Sequence, residues 1–361
     1  MPHAPDGTMA LGSRRPRAAS SPNQAGSGLR RCFAPGRPPT IDPRSVPRRG
    51  EQSATIIQRV PRALTLGQLR TWRREGYLVL EGFFSDEEVD TVNAAAERVW
   101  DERPSHLTVD DLDLGLRQRA CQVADDQRSH RFKVNDLYLT DSSLRHVAGS
   151  KKVGAVLADL LRDEPVMINT LNLTEGSEQA DHLDTLFMCP PRAFAMAVTW
   201  MALEDVRGDA GPLRYYPGSH RIRPYVFETG SLVLNQPELP RWQQYMDREL
   251  ARNRMEEQRL LAKKGDLFVW HSLLLHGGCP ITSRGTTRRS LVTHFHTRHD
   301  YRAATASLRP AGAGWWLVRP PQPVPGFDDG APQPADGPEG TAAPRRGLTR
   351  RLGWSRRAKV R

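Results

Sequence analysis

Hydrophobic and polar positions change rhythm once along the chain. Between residues 64 and 161 apolar residues recur at helical spacing. Thr65 and Gln68 make a capping-box pair for a short helix to about Glu75, which Gly76 ends. Tyr77-Leu78-Val79-Leu80 predicts a strand. Ser85 and Glu88 make a second box, and Val89, Val92, Ala96 and Val99 carry an apolar stripe to about Trp100. Residues 101–130 are charged and aperiodic. Residues 133–139 predict a strand, and 153–161 an amphipathic helix. From residue 166 the period shortens to that of strands: 166–173, 193–203, 266–270, 273–276 and 288–297. Pro190-Pro191, Gly208, Gly211-Pro212, Pro217-Gly218 and Gly277-Gly278 punctuate them. A polar segment, 236–262, reads as a helical insertion. Helices first and many short strands afterwards predict an α+β domain with a β-sandwich or barrel core.

Charge divides the chain differently. The formal charge is +11, but residues 1–62 hold +8 of it and 318–361 hold +5, so 63–317 is near neutral. Both ends are rich in Pro, Gly, Ser and Ala and cannot bury enough apolar surface to offset chain entropy. We therefore expect a disordered basic N-terminal tail (1–62), one folded domain (63–317) and a disordered basic C-terminal tail (318–361). A basic tail binds phosphates weakly, yet a near-neutral domain gives no reason to expect a nucleic-acid partner. No apolar run reaches the ~20 residues that span a bilayer. The four cysteines contain no CxxC pair, which excludes a zinc ribbon and a disulfide scaffold and fits a reducing, cytoplasmic setting. Arg outnumbers Lys 46 to 6, the composition of a G+C-rich bacterial genome.

Chemistry concentrates in three pieces. His182-Leu183-Asp184 is the first. On a strand, residues i and i+2 share a face, so imidazole and carboxylate would converge. Eleven His and 24 Asp make roughly 0.7 such pairs by chance, so the triplet alone is weak. The second piece, Gly265-Asp266-Leu267-Phe268-Val269-Trp270-His271-Ser272-Leu273-Leu274-Leu275-His276-Gly277-Gly278, ends in a histidine that can face a barrel mouth with two glycines leaving room above it. The third, beginning Arg288-Arg289-Ser290-Leu291, opens an apolar strand with a cation suited to gripping a carboxylate. Two His and one carboxylate form the facial ligand set of non-haem Fe(II) oxygenases.

With these pieces the sequence resembles the phytanoyl-CoA dioxygenase family of Fe(II)/2-oxoglutarate-dependent oxygenases. The likeness runs from about Leu64 to Thr297 and includes GYLVLEGFFSDEEV, the HxD triplet, MALEDVRGDAGPLRYYPGSHR and GDLFVWHSLLLHGG followed by RRSL. It implies a double-stranded β-helix, His182, Asp184 and His276 as iron ligands, and Arg288 as the clamp on the far carboxylate of 2-oxoglutarate. Trp200, 18 residues after the first ligand, matches an aromatic lining the co-substrate pocket, and Lys133 matches a position near 2-oxoglutarate. The interval from His276 to Arg288 is 12, where about 11 is usual in relatives, so Arg289 stands as the alternative clamp; strand parity allows only one of the two to face inward.

The resemblance further implies use of O₂ and a small organic substrate, hydroxylated with release of succinate and CO₂. Desaturation, cyclisation or epimerisation would need the same iron residues. Because Asp184 is present, no ligand position is freed for halide. A barrel serving only as a binding module is a further reading, though its ligand set shows no damage. His271 reads as a core residue. His294 and His296 share a strand face and can bind metal, or hydrogen-bond the iron ligands or the substrate instead. Zinc on Cys279 and His276 would lack two spaced ligands. His220, Arg214, Tyr215 and Tyr216 are candidates to border the pocket, and Arg192, Arg221 and Arg223 to meet an anionic substrate.

Overall fold

The computed structural model describes residues 63–192, 194–283 and 285–327. The tails expected at 1–62 and most of 318–361 lie outside them. The first half alternates helices and short strands: α1 (Leu66–Glu75), β1 (Tyr77–Leu80), α2 (Asp86–Glu102), β2 (Thr108–Asp111), β3 (Leu116–Arg119), β4 (Phe132–Asn135), α3 (Ser142–Ala148) and α4 (Lys151–Leu161). The second half holds β5 (Pro165–Leu173), α5 (Thr185–Met188), β6 (Ala197–Ala202), β7 (Leu213–Tyr215), α6 (Leu239–Asn253), β8 (Gln258–Leu260), β9 (Leu267–His271), β10 (His276–Gly278), β11 (Ser290–Thr297), β12 (Leu308–Ala311) and β13 (Gly314–Leu317).

Both expected capping boxes form. The Thr65 and Ser85 hydroxyls accept from the backbone N–H of Gln68 and Glu88, and those side chains return the bond to the cap backbone. Gly76 ends α1 at φ 80°, a left-handed conformation that costs a residue with a Cβ.

The strands make two sheets facing each other. The large one runs β1-β9-β6-β11-β5-β4-β2-β3, with β13 added alongside β5, and the small one runs β10-β7-β8. This is the expected double-stranded β-helix, or jelly roll. Strand alternation sorts the side chains. Val198, Trp200, Ala202, Phe268, Trp270 and Val292 point between the sheets, with Leu213, Tyr215 and Leu274 opposite. Their neighbours Ala197, Met201, Leu267, Val269, Leu291 and Phe295 point outward under Val89, Val92 and Val99 of α2 and Val153 and Leu157 of α4. Each fully buried large apolar side chain contributes about 1.5–3 kcal/mol of burial energy.

Several expectations need correction. The strand expected over 133–139 stops at Asn135, because Asp136 turns left-handed at φ 60° and a 3₁₀ turn follows. The strand expected over 273–276 is a turn, and His276 begins β10 instead of ending a strand. The aperiodic 101–130 segment hides the β2–β3 hairpin, whose Arg117–Asp110 ion pair breaks the apolar alternation; Lys133 of β4 pairs with the same Asp110.

The domain boundary at 317 falls too early. Arg319, Gln322 and Val324 are buried. The Asp136 carboxylate gathers this segment: it accepts from Gln322 Nε2 at 3.1 Å and Asn169 Nδ2 at 2.8 Å, and pairs with Arg319 Nη2 at 2.7 Å. Thr108 Oγ1 donates to the Gln322 carbonyl at 2.7 Å. Residues 318–327, proline-rich and expected to begin the C-terminal tail, thus pack against the domain.

This packing makes two outcomes measurable. Replacing Arg319 by Met strands a buried carboxylate, so urea unfolding should show a loss of about 3 kcal/mol; an unchanged midpoint would mean that the pair contributes nothing. The second concerns His220 and His296. Burial pushes both imidazoles down to about 4. Unfolded, they titrate near 6.5, so below that pH the unfolded chain binds more protons and stability falls toward pH 4. Between pH 7.5 and 5 each should remove about 2 kcal/mol, and His296→Gln should flatten the pH dependence of the urea midpoint.

Candidate metal centre

His182, Asp184 and His276 meet at one point between the sheets. Their ligand atoms all lie within 4.8 Å of one another. Asp184 Oδ1 stands 3.9 Å from His182 Nε2 and 3.8 Å from His276 Nε2, and the two imidazole centroids are 4.3 Å apart.

The local backbone differs from the expected strand. His182 forms an isolated bridge with His276, with reciprocal backbone bonds of 2.8 and 3.1 Å. Asp184 has already left extended conformation, at φ −61° and ψ −29°, and caps α5. The convergence therefore comes from a bridge followed by a helical turn. Gly277 and Gly278 permit the close approach. A Cβ on Gly277 would sit 2.5 Å from Asp181 Oδ1, and one on Gly278 2.8 Å from the Glu178 nitrogen.

Protons are already assigned at this site. His182 Nδ1 lies 2.9 Å from the Ala180 carbonyl, and His276 Nδ1 lies 2.9 Å from the Leu274 carbonyl. Each Nδ1 therefore carries the hydrogen, leaving a lone pair on each Nε2. Burial, reinforced by His276, pushes His182 down to about 4, so it is neutral at physiological pH. Burial alone would raise the Asp184 carboxyl, but His276, His294 and His182 outweigh it and hold it below the usual carboxylate range. Trp270 Nε1 donates to Asp184 Oδ2 at 2.7 Å, leaving Oδ1 toward the imidazoles. Two imidazole Nε2 atoms and a carboxylate oxygen face one another. That donor set fits a divalent transition metal.

Arg288 and Arg289 separate as parity requires. Arg288 is 3% exposed and lies on the inward row with Ser290 and Val292. Arg289 turns outward and pairs with Glu97 at 2.8 Å. The Arg288 guanidinium lies 5.6 Å from the Trp200 ring centroid. Arg288 Nε, Trp200 Nε1 and Ser290 Oγ are buried with no hydrogen-bond partner among the described residues. Burial pushes Arg288 down to about 10, which leaves it a cation at neutral pH. Lys133 lies in the row of Leu173 and Ser290, and its ammonium is held by Asp110 at 2.9 Å.

The other histidines take supporting places. His294 Nε2 approaches Asp184 Oδ1 at 3.4 Å, a contact that sequence reading left open between ligation and support. His296 meets the Tyr301 hydroxyl and the Met188 carbonyl. His271 and His220 pack against each other, 5.4 Å apart, with Trp72 behind His271. Tyr216 and Arg214 both donate to Asp181, the residue before His182, and Tyr215 belongs to the core between the sheets. Arg192 is engaged with Asp300 and Thr297. Sequence reasoning missed Trp270. Its place on an inward row, two residues after Phe268, was the available signal.

Known proteins share this architecture. A worm protein, the phytanoyl-CoA dioxygenase domain-containing protein 1 homolog of Caenorhabditis elegans, is 18% identical over 278 residues, covering 63% of this chain and 90% of the relative. The phytanoyl-CoA dioxygenase domain-containing protein 1 of Bos taurus is 25% identical over 191 residues, covering 44% and 66%. Among solved structures, EctD from S. alaskensis with bound Fe superposes with a TM-score of 0.50 at 20% identity, covering 77% of this chain and 86% of that one. EctD with 2-oxoglutarate and 5-hydroxyectoine gives 0.50 at 19% identity, covering 75% and 86%. The structural likeness speaks to the jelly-roll fold. Among the described residues no helix is long and apolar enough to cross a membrane. The model of the phytanoyl-CoA dioxygenase (PhyH) family matches residues 72–290, most of the described domain, and the chain belongs to that family.

Proposed function

We propose that this chain is an Fe(II)/2-oxoglutarate-dependent dioxygenase acting on a small organic molecule, with His182, Asp184 and His276 as the metal ligands. The observation that carries the reading is the buried meeting of two imidazole lone pairs and one carboxylate oxygen, all within 4.8 Å. Such a donor group is suited to holding a cation among its members. Ferrous iron bound there supplies dioxygen activation coupled to decarboxylation of 2-oxoglutarate to succinate and CO₂, and with it hydroxylation of the substrate.

The protein's part is placement. The Ala180 and Leu274 carbonyls fix both imidazoles in the tautomer that presents Nε2. Trp270 occupies one carboxylate oxygen of Asp184 and so aims the other. Arg288 is a buried cation without an acidic partner among the described residues, and such a charge calls for an anion. The distal carboxylate of 2-oxoglutarate meets that need, with Trp200 Nε1 and Ser290 Oγ as further donors. Lys133, already paired with Asp110, adds positive potential at that end of the pocket. Val198, Phe268 and Leu274 close the interior against water. Desaturation, cyclisation or epimerisation would draw on the same residues.

Succinate release that depends on both added Fe(II) and 2-oxoglutarate tests the reading directly, and its absence across a broad metabolite set would sink it. Arg288→Gln should raise the KM for 2-oxoglutarate at least tenfold, and Arg288→Lys should not restore it, since an ammonium lacks the two-pronged donor geometry. Arg289→Gln should leave that KM unchanged; the reverse pattern would exchange the two roles. Iron affinity gives an independent measure. By equilibrium dialysis Asp184→Ala should abolish stoichiometric Fe(II) binding, and Trp270→Phe should weaken it roughly 10–100-fold. Equal affinity in Trp270→Phe would mean that the indole does not orient the carboxylate.

A further inference from the structure

Asp184 stands at the N-cap of α5, a turn of four residues with no side-chain cap bond. A helix this short does not hold itself in water, so what fixes Asp184 lies outside α5. Leu183 and Leu186 pack into the apolar cluster around Trp242, and the Leu234 N–H donates to the Leu186 carbonyl at 3.0 Å. Those contacts place one side of the turn. On another side two histidines of β11 meet it. His294 Nε2 lies 3.4 Å from Asp184 Oδ1, at the start of the turn, and His296 Nε2 lies 3.3 Å from the Met188 carbonyl, at its end. Both rings are buried, and they stand two residues apart on one face of the strand. The ladder of β11 with β5 slips between His294 and Phe295, an irregularity of the kind that re-aims side chains.

The hydrogens follow from the partners. A carbonyl only accepts, so His296 Nε2 carries a hydrogen. Burial keeps that ring neutral at pH 7, and its Nδ1 accepts from the Tyr301 hydroxyl at 3.0 Å. His294 Nδ1 is buried with no partner among the described residues. A hydrogen placed only there would go unmet and would turn a lone pair on Nε2 toward the carboxylate. Nε2 therefore carries the hydrogen, aimed at Oδ1. His294 is outside the group of three whose ligand atoms all lie within 4.8 Å of one another. Its part at Asp184 is that of a donor and not of a further ligand. Trp270 donates to Oδ2 at 2.7 Å, so each carboxylate oxygen faces one N–H, and a swing about either contact is opposed by the other.

We propose that His294 and His296 are a pair of positioning residues, a two-point latch that holds the Asp184–Met188 turn against β11. His294 fixes the carboxylate at one end, and His296 fixes the last carbonyl at the other. Neighbouring groups of this kind orient the residues of a metal site without touching the metal. The latch belongs to the metal-free chain; only its effect on iron rests on the reading of Asp184 as a ligand.

Nitrogen NMR of the metal-free full chain, labelled at histidine, should show a hydrogen on Nε2 of both rings; a ring protonated at Nδ1 alone would overturn the latch, and this measurement needs no variant. Hydrogen exchange gives the second readout. The Phe187 and Met188 amides donate to the Asp184 carbonyl at 3.0 and 2.9 Å. His294→Leu and His296→Leu should each speed their exchange about tenfold or more while the β6 amides stay as they were. His294→Gln and His296→Gln keep an N–H donor at the same reach and should restore slow exchange. Folded leucine variants that exchange as the unaltered chain does, or glutamine variants as fast as the leucine ones, would each overturn the proposal. By equilibrium dialysis His294→Leu should bind Fe(II) roughly 10–100-fold more weakly, and His294→Gln close to normally. Undiminished affinity in His294→Leu would remove the hold on the carboxylate. An unaltered chain that binds no Fe(II) would instead sink the metal reading and leave the latch to be decided by the tautomers and the exchange.

Discussion

The carboxylate of Asp184 is the constraint around which the interior is arranged. It is an anion between two sheets, where an uncompensated charge would cost several kcal/mol. The chain answers with one indole N–H and three imidazoles, and no lysine or arginine makes a salt bridge with it among the described residues. A fixed cationic side chain at that point would satisfy Asp184 permanently. Imidazoles and an indole leave one oxygen, Oδ1, facing the two imidazole Nε2 atoms. The inward row of Trp200, Phe268 and Trp270 therefore serves twice. Its rings fill the barrel, and one of its two indole N–H groups, that of Trp270, donates to Asp184.

Much of the helical half was legible because its signals are local. A capping box, a left-handed glycine and an apolar stripe each act within a few residues, so Thr65, Gly76 and Ser85 specified their elements directly. The meeting of His182, Asp184 and His276 was legible for a different reason. Their spacing in a recognisable order stood in for the folded geometry, while the local argument for them was mistaken: Asp184 reaches His182 through a bridge and a helical turn, not along a strand. Strand parity correctly requires one of Arg288 and Arg289 to face inward, but which one depends on the register of β11 against β6, a long-range property.

What stayed hidden shares that long-range character. Trp270 touches Asp184 across 86 residues of sequence, and Gln322 reaches Asp136 across 186. Neither contact leaves a periodic trace. Residues 318–327 are rich in proline and poor in apolar residues, so composition assigns them to a tail. They fold because Asp136, held left-handed at the end of β4, offers two carboxylate oxygens to partners from separate segments. One buried anion organises chemistry at Asp184 and another organises architecture at Asp136.

The reciprocal backbone bonds between His182 and His276 couple the two imidazole-bearing segments as rungs of one ladder. Their separation is thereby set by main-chain geometry when the protein folds, and the side chains have little left to search. The entropy of gathering distant residues is lost during folding, before any ion arrives. A metal bound there, as proposed, would meet a preset nitrogen pair and an oxygen that Trp270 already aims. Capture then asks for little rearrangement of the protein, and the release of an ion would leave the vessel standing.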